Sequence, residues 1–460
     1  MHKNLPVLFT LTTGQVAANC LCLKWYRRQR MDRKVVIVGG GWAGCAAALA
    51  ARKQGCHVEL FERTDMLLGT GLVGGIMRNN GRFTATEEMI EMGGGDLFII
   101  ADHHGRHKNI DFPGHQHASL YDISTIEPAV HKVLINAGVK IHFKTRVTDS
   151  EVHHGVIRKI TAKKLNGDAV TADGKVFVDS SGTAGPIHHC TKYGNGCAMC
   201  VYRCPTFGPR LSIAAKAGVK ELSAIKSDGT LGAMSGSCKL HKDSLSPSIR
   251  EELDSRGVCI VPIPTHLQKS PVSLRQKACQ QYALQDFVEN IVLLDTGHAK
   301  LMTAYYPLDV LHQIPGFENA RFEDPYAGGI GNSMRYLDML PRNDYLQVTG
   351  LNNVFCCGEK AGLLVGHTEA IITGTLAGYN AARYTLKADL LAIPKSLACG
   401  DAIAHVREKM ETPEGLGNKY TFSGSAYFER MKDKKLYTTD LEEIKLRVEK
   451  ARMTGVFKAL

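Results

Sequence analysis

Aromatic residues are scarce in this chain: they make up 7% of its 460 residues, and two of them are tryptophan. A surface that stacks the bases of single-stranded nucleic acid needs several exposed rings, so the composition disfavours such a surface. Cysteine is also thinly spread, with 14 residues in the whole chain, which excludes the dense disulfide framework of a small secreted domain. We therefore expect a reducing, cytoplasmic environment.

A long apolar run is missing as well. The N-terminal stretch 5–23 is interrupted by Gln15 and Asn19, and most of the basic residues follow it. This is a poor pattern for a membrane span or a secretion signal. We expect residues 1–30 to lie outside the fold, and we expect no membrane association. A cleaved or anchoring segment is the alternative.

Acidic residues are fewer than basic ones, which gives a net charge of +11. Residues 1–30 hold five bases and no acid, which leaves +6 for the rest of the chain. A small, dispersed excess is typical of a solvated surface and gives weak support for a nucleic-acid partner. The length and the 44% of apolar residues predict a globular protein with two or more structural units.

The strongest motif is KVVIVGGGWAGCAAALAARKQGCHVELFER, residues 34–63. An apolar run predicts a buried parallel strand, and Gly39, Gly41 and Gly44 follow it in G-x-G-x-x-G spacing before an Ala-rich helix. A second strand ends at Glu62, 21 residues after Gly41. The glycines let the backbone approach a pyrophosphate at the helix N-terminus, and Glu62 can bind the ribose hydroxyls of an adenosine. The motif predicts a dinucleotide site.

Two later stretches favour FAD over NAD. Residues 175–186 are typical of an apolar strand that runs into a Gly turn. Residues 353–384 contain a strand that ends at Gly358 and Glu359, and then a helix with Gly374 in its N-terminal turns. A two-halved FAD-binding fold uses such a second strand and helix near the flavin, whereas a dehydrogenase with one Rossmann domain does not need them. We expect FAD.

Three segments resemble the GidA (MnmG)/TrmFO family of FAD proteins. They are GGGWAGCAAALAARKQG (39–55), VGGIMRNNGRFTATEEMIEMGGGDLF (73–98) and GHTEAIITGTLAGYNAAR (366–383). In the third segment Glu369, Gly374 and Gly378 fall in the spacing of the TrmFO block Gly-Tyr-x-Glu-Ser-x-x-x-Gly-x-x-x-Gly-x-Asn-Ala. The resemblance covers roughly 31–186 and 305–385.

The resemblance implies both a fold and an activity. It implies an α/β, two-halved Rossmann-like fold of the GR2 type, with an inserted α+β domain. Known members modify RNA uridines, with a folate as one-carbon donor and a cysteine near the flavin. This chain departs from the family at Glu359, where Gln is usual, and in its last 75 residues, which form a short mixed tail in place of a long helical domain. Fold transfers more safely than function.

These patterns divide the chain into five predicted parts: an extension (1–30), the first part of the FAD-binding domain (31–186), an inserted substrate and cysteine-rich domain (187–304), the second part of the FAD-binding domain (305–390) and a tail (391–460). The residues predicted to bind FAD are Gly39, Gly41, Ala43, Gly44, Glu62, Arg63, Gly74, Gly75, Ile76, Val147, Gly182, Gly358, Glu359, Glu369 and Gly374.

The stretch GCAMCVYRCPTFGPR, residues 196–210, places Cys197, Cys200 and Cys204 in C-x2-C-x3-C-P spacing. This is three-quarters of the cluster-binding run of bacterial ferredoxins, and Cys190 is the nearest candidate for the fourth ligand. The other candidates for that ligand are Cys238 and Cys259.

Three further hypotheses stay open for this stretch. His188 and His189 adjoin Cys190, which makes zinc the second metal candidate. Alternatively, Cys204 is a reactive thiol near the flavin, with Arg203 favouring its thiolate. Three structural cysteines are the last hypothesis. A second polar stretch, DHHGRHKNIDFPGHQH (102–117), lacks the i, i+4 pairing of a helical metal site, and we expect a loop over the substrate face.

We expect an enzyme, a cytoplasmic FAD-dependent oxidoreductase that acts on a small-molecule substrate or an electron-transfer partner. One alternative is a folate- and FAD-dependent enzyme that modifies uridines in tRNA or rRNA, and another is a flavin-binding protein without turnover. An iron–sulfur cluster or zinc, NAD(P)H as the electron donor and a homodimer are open additions to this hypothesis.

Serine substitutions test the cysteine stretch. If it binds a metal, Cys197→Ser, Cys200→Ser and Cys204→Ser each lose iron or zinc to a similar extent and keep FAD, because a hydroxyl is a poor ligand for these metals. Elemental analysis of anaerobically prepared protein measures the loss. If Cys204 is a lone reactive thiol, only its substitution abolishes activity. Wild-type protein without iron or zinc would contradict the metal hypothesis.

Overall fold

The computed structural model of the chain describes residues 32–182, 211–224, 233–234, 238–269, 284–302, 306–323, 334–335 and 338–459. The predicted extension 1–30 lies outside the described residues. So do four cysteines of the predicted metal or thiol site, Cys190, Cys197, Cys200 and Cys204. The hypotheses about them therefore stay predictions.

The described residues form nineteen strands and thirteen α-helices. The strands are β1 Lys34–Val38, β2 His57–Phe61, β3 Ile76–Met77, β4 Gly105–Phe112, β5 His115–Tyr121, β6 Lys140–His142, β7 Thr145–His153, β8 Val156–Lys164, β9 Ala169–Asp173, β10 Val176–Asp179, β11 Leu222–Ser223, β12 Ala233–Met234, β13 Cys238–Leu240, β14 Val258–Pro262, β15 Asn290–Asp295, β16 Ala299–Leu301, β17 Met334–Arg335, β18 Asp338–Met339 and β19 Val354–Cys356. The helices are α1 Trp42–Lys53, α2 Gly81–Glu91, α3 Asp96–His103, α4 Ile126–Asn136, α5 Ile213–Lys216, α6 Pro247–Arg256, α7 Gln285–Glu289, α8 Leu308–Leu311, α9 His367–Thr385, α10 Ala398–Lys409, α11 Pro413–Leu416, α12 Ser425–Asp433 and α13 Leu441–Lys450.

A parallel sheet of five strands, in the order β19-β10-β1-β2-β6, forms the first structural unit. Its inner strands are apolar and buried, as parallel strands covered on both faces must be. Val35 of β1 pairs with Val176 of β10 on one side and with Val58 of β2 on the other. Strands that are far apart in the sequence thus become neighbours, which confirms the predicted Rossmann-like α/β fold.

Helices α1 and α9 pack against each other at backbone distance. A Cβ atom at Gly374 would overlap the carbonyl oxygen of Ala43, and one at Gly378 would overlap that of Ala47. The contact therefore requires small residues in both helices, because a larger side chain would not fit between the two backbones. The contact lies over β1 and β10 and fixes where both helices begin.

An antiparallel sheet in the order β13-β16-β15-β14 forms the second unit, with α6 packed on it. Its core holds Leu240, Leu293 and Leu301, and it also holds Leu311 and Phe317 from the segment that follows. The structure thus differs from the predicted boundary at 304, because the apolar side chains of this later segment face the core of the second unit.

The His-rich stretch is a β-hairpin, and the loop predicted there is wrong. It forms most of β4 and β5, and β5 also pairs with β3. Phe112 and Leu120 of this sheet share a small apolar cluster with Val292 and Leu294 of the second unit. Within the described ranges, no three His, Cys, Asp or Glu side chains are grouped so as to hold a metal.

The C-terminal part, which was predicted as a short mixed tail, contains several helices. Four helices, α10 to α13, pack on the first unit, and Phe422, Tyr427 and Phe457 are buried there. Glu88 of α2 accepts hydrogen bonds from the N–H groups of Ala398 and Cys399, at 2.9 and 3.0 Å. A carboxylate from α2 therefore caps the N-terminus of α10. Among the described helices, none has the length and apolarity to cross a bilayer.

Two glycine substitutions test the helix contact. We expect Gly374→Ala to lower the free energy of unfolding by roughly 1–3 kcal/mol or more, because overpacking forces the backbones apart. Gly41→Ala is the control, since a Cβ at Gly41 meets no atom within 4 Å. We expect it to cost less than about 1 kcal/mol, the usual effect of alanine at a helix N-cap. Urea denaturation measures both changes, and equal losses would contradict the close contact.

Candidate functional site

A cleft opens where the carboxyl ends of β1, β2 and β10 meet. Ligands of open α/β sheets bind at this edge. Nine of the predicted residues line the cleft: Gly39, Gly41, Ala43, Glu62, Arg63, Val147, Gly182, Gly358 and Glu359. They come from five separate parts of the sequence, so the fold brings residues from separate motifs together in one cleft.

Two helix N-termini open into this cleft. Gly41 is the N-cap of α1, and Gly366 and His367 form the start of α9; all three line the cleft. In the described part of the chain, neither N-terminus has a side-chain cap. The positive ends of two helix dipoles favour an anion in this cleft. The space in front of Gly41, where a Cβ would meet no atom, leaves room for a pyrophosphate.

Glu62 stands at one end of the cleft. Its carboxylate accepts hydrogen bonds from the N–H groups of Gly40, at 2.8 Å, and Thr64, at 2.9 Å, which fix its position at the end of β2. Glu59 of the same strand bonds instead to His142 and Lys34, both at 2.8 Å. The hydrogen bond from His142 holds the pKa of Glu59 at about 2. One strand thus carries one carboxylate in the cleft and one outside it.

Six predicted residues do not line the cleft. Four of them are glycines, Gly44, Gly74, Gly75 and Gly374, that are needed because neighbouring atoms leave no room for a side chain. A Cβ at Gly44 would overlap the carbonyl oxygen of Gly39, and Gly374 meets Ala43 as described. Gly74 lies against the imidazole of His367. Gly75, with a φ of +81°, lies against Thr296 of the second unit, and Ile76 is buried beside it in β3. These positions build the walls of the cleft.

Glu369 is the sixth of these residues, and its side chain is not placed to bind a cofactor. The carboxylate is fully buried and pairs with Arg82 at 3.2 Å. It also accepts hydrogen bonds from the hydroxyl of Thr421, at 2.6 Å, and the N–H of Phe422, at 2.9 Å. Its structural part is to tie α9 to α2 and to the C-terminal segment.

His367, which lines the cleft, and Tyr121, which contacts it, were not among the predicted residues. The hydroxyl of Tyr121 donates to the carbonyl of Gly71 at 2.8 Å and lies 3.2 Å from Nδ1 of His367. Burial raises the pKa of Tyr121 to about 12, so the phenol stays neutral. His367 occupies the position of the Tyr in the TrmFO block, and that difference was the available signal. Tyr121 lies in β5, and no sequence pattern indicated its position beside His367.

A buried lysine joins the second unit to the same wall. Lys300 of β16 donates to the carbonyl of Val73 at 2.8 Å and also to that of Gly74. The preceding hairpin contributes Thr296, whose carbonyl accepts the N–H of Ile123 at 3.1 Å. No sequence pattern indicates this lysine, because its acceptors are backbone atoms more than 220 residues away.

The described thiols near the cleft are unreactive. Cys45, Cys356 and Cys357 are fully buried, and burial raises the pKa of each, that of Cys356 to about 12. A thiol that stays protonated is a poor nucleophile. These three cysteines serve as small buried residues of the core. Cys259, a candidate fourth ligand, donates to Glu252 at 3.1 Å in the second unit.

Two family models match the sequence. That of the FAD dependent oxidoreductases matches residues 34–187, and that of glucose inhibited division protein A (GidA) matches residues 263–389. A search of the curated proteins finds no significant match. Two crystal forms of GidA from Aquifex aeolicus resemble the structure. Form II is 17% identical in sequence, the match covers 92% of this chain and 74% of the GidA chain, and the TM-score is 0.64. Form I is 16% identical, the match covers 92% of this chain and 76% of the GidA chain, and the TM-score is 0.60.

A buried histidine behind the cleft predicts a loss of stability in acid. Asn79 donates to Nδ1 of His115 at 2.9 Å. Burial, helped by the charge of Arg82, lowers the pKa of His115 to about 3. The unfolded chain binds a proton below about pH 6.5 that the folded state does not bind, so the free energy of unfolding falls by up to about 1.4 kcal/mol per pH unit.

Denaturation at about pH 7.5, 6 and 5 measures this dependence. We expect a shallower fall for His115→Asn, since the group that titrates is gone. His153→Asn, at an exposed position in β7, is the control and should follow the wild-type slope. A His115→Asn protein as sensitive to acid as the wild type would contradict the assignment.

Proposed function

This chain belongs to the GidA-like FAD-dependent oxidoreductases, and on that premise we propose that it binds FAD along the whole cleft. Glu62 would hold the adenosine, and the first turn of α1 would hold the pyrophosphate. The flavin would then lie near Gly71 and the first turn of α9, which also line the cleft. FAD supplies hydride or electron transfer when it is bound.

The observation that carries this proposal is the pair of uncapped helix N-termini facing one cleft. Because one helix N-terminus of the cleft comes from each half of the fold, the complete cleft exists only in a chain that has both halves. Gly41 leaves open the space in front of α1, and Glu62 stands where a ribose would follow. The residues present fit FAD better than a mononucleotide, which would leave one end of the cleft unused.

Residues behind the cleft would hold one of its walls in place. Tyr121 fixes the carbonyl of Gly71, and Lys300 fixes those of Val73 and Gly74, so the wall beside the flavin is held by side chains from both units. We propose that the substrate binds between this wall and the second unit. A small molecule or an electron-transfer partner in the cytoplasm is our proposal for it, since the +6 charge beyond residue 30 gives little attraction for RNA.

Substitutions in the cleft test this proposal. Wild-type protein should contain FAD or bind it after reconstitution. Gly41→Val should bind none, because its methyl groups fill the space in front of the first amides of α1. Glu62→Gln should bind FAD roughly tenfold more weakly, since hydrogen bonds to a charged acceptor are stronger by about 1 kcal/mol or more.

Glu59→Gln is the matched control, because its side chain lies on the same strand but bonds to His142 and Lys34 outside the cleft. Flavin absorbance after denaturation gives occupancy, and titration of the apoprotein gives Kd. The thermal stability of each apoprotein shows that Gly41→Val is folded. A wild-type protein that is colourless and cannot be reconstituted would contradict the proposal.

A further inference from the structure

A two-residue segment, Leu67 and Leu68, lies across the glycine turn that follows β1; we call it the strap. Leu68 lines the cleft, and its N–H donates to the carbonyl of Gly40 at 2.7 Å. The side chain of Leu67 packs on the same turn, because a Cβ at Gly40 would come within 2.8 Å of its Cδ2 atom. The strap therefore joins the turn to a part of the chain that the dinucleotide motif, residues 34–63, does not contain.

The strap holds one peptide group of the turn in place. The carbonyl of Gly40 also accepts the thiol hydrogen of Cys45, at 3.3 Å, so it is fixed from two sides. This carbonyl and the N–H of Gly41 belong to one planar peptide group and point in opposite directions. Fixing the carbonyl therefore also fixes the N–H of Gly41, at the N-cap of α1, where the proposed function places the pyrophosphate.

The strap has a backbone conformation that needs support. Leu68 has a φ of +67°, in the left-handed region that residues with a Cβ atom avoid. Such a conformation persists only where the surrounding structure determines it. The hydrogen bond to Gly40 is one support, and a carboxylate from α4 gives a second.

That carboxylate is Glu127, in the first turn of α4. Its residue is 8% exposed, and it accepts the N–H of Leu67 at 3.0 Å. Sixty residues separate the two partners, so no local pattern indicates the contact. Glu127 is not among the described residues that line the cleft. Its effect on a ligand must therefore pass through the strap.

We propose that Glu127 is a positioning residue for the pyrophosphate of the bound dinucleotide; this rests on the proposed function. Its carboxylate holds Leu67, and Leu68 then holds the carbonyl of Gly40. The N–H of Gly41 consequently keeps its direction before the ligand arrives. When only a fraction of the molecules has the binding conformation, the apparent Kd rises in inverse proportion to that fraction. Glu127 thus keeps the apoprotein in the form that binds.

Two conservative substitutions separate the position of this side chain from its charge. Glu127→Gln keeps an oxygen within reach of the Leu67 N–H, so we expect it to bind FAD as tightly as the wild type. Glu127→Asp keeps the charge, but its side chain is one carbon shorter and does not reach that N–H. We expect its Kd for FAD to be roughly tenfold higher, as when the strap is in place in about a tenth of the molecules. Titration of the apoproteins measures both values.

Hydrogen exchange of the apoproteins gives a second readout. The amides of Leu67 and Leu68 should be protected in the wild type and in Glu127→Gln, and should exchange roughly tenfold faster in Glu127→Asp. Glu88→Gln is the control, because Glu88 is likewise buried and accepts two backbone N–H groups, but away from the cleft. It should unfold at a lower temperature and keep the wild-type Kd and strap exchange.

A Glu127→Asp protein with the Kd and strap exchange of the wild type would overturn the inference. A Glu127→Gln protein that binds as weakly as Glu127→Asp would also overturn it, since charge and not position would then matter. The same holds if Glu88→Gln loses as much FAD affinity, because the loss would reflect general destabilisation. Wild-type protein that binds no FAD overturns the proposed function instead, so the two failures are distinguishable.

Discussion

The backbone contact between α1 and α9 is the constraint on which the rest of the structure depends. Glycines at 374 and 378 let the two helices touch, and this contact places both N-termini at one cleft. Because Gly374 meets Ala43 and Gly378 meets Ala47, the two helices run parallel, and the positive ends of both dipoles favour an anion in the cleft. We infer that a pyrophosphate bound in the cleft also stabilises the folded chain, because ligands that bind only the folded state favour folding.

The second unit is joined to this centre through few but specific contacts. Lys300 carries a positive charge into a buried position, where two backbone carbonyls replace water as its partners. The hairpin before it also reaches the first unit, since Asp295 pairs with Arg106 at 3.0 Å and with His107 at 2.9 Å. Burying charges is costly unless they are paired, so this orientation of the two units is favoured over others.

Sequence reasoning succeeded where the determinants are local. The spacing of Gly39, Gly41 and Gly44, with Glu62 at the end of the next strand, reflects one turn and its flanking elements, and a single stretch contains all of them. The second FAD stretch was equally readable, because a strand, a glycine turn and a small-residue helix follow each other directly. The parallel sheet and its cleft could therefore be predicted.

It failed where a residue's role depends on a distant partner. Glu369 matches a motif by spacing, yet its carboxylate meets Arg82 and Thr421, whose proximity no local pattern encodes. The hairpin β4–β5 could not be predicted from its sequence because its strands are rich in polar residues. The stretch 102–117, which contains most of the hairpin, holds five histidines. The place of Leu311 and Phe317 in the core of the second unit was not predicted for a related reason. An apolar residue in a sequence does not indicate which of two cores it joins.

The cap that Glu88 provides for α10 has a consequence for how the chain folds during synthesis. The buried carboxylate belongs to α2, but its partners, the N–H groups of Ala398 and Cys399, leave the ribosome some 300 residues later. Until they arrive, the carboxylate of Glu88 lacks the two N–H donors that it has in the folded protein, and burial favours its protonated form. The FAD-binding unit is thus completed from its C-terminal end, and a nascent chain stopped before α10 would hold α2 only weakly in place.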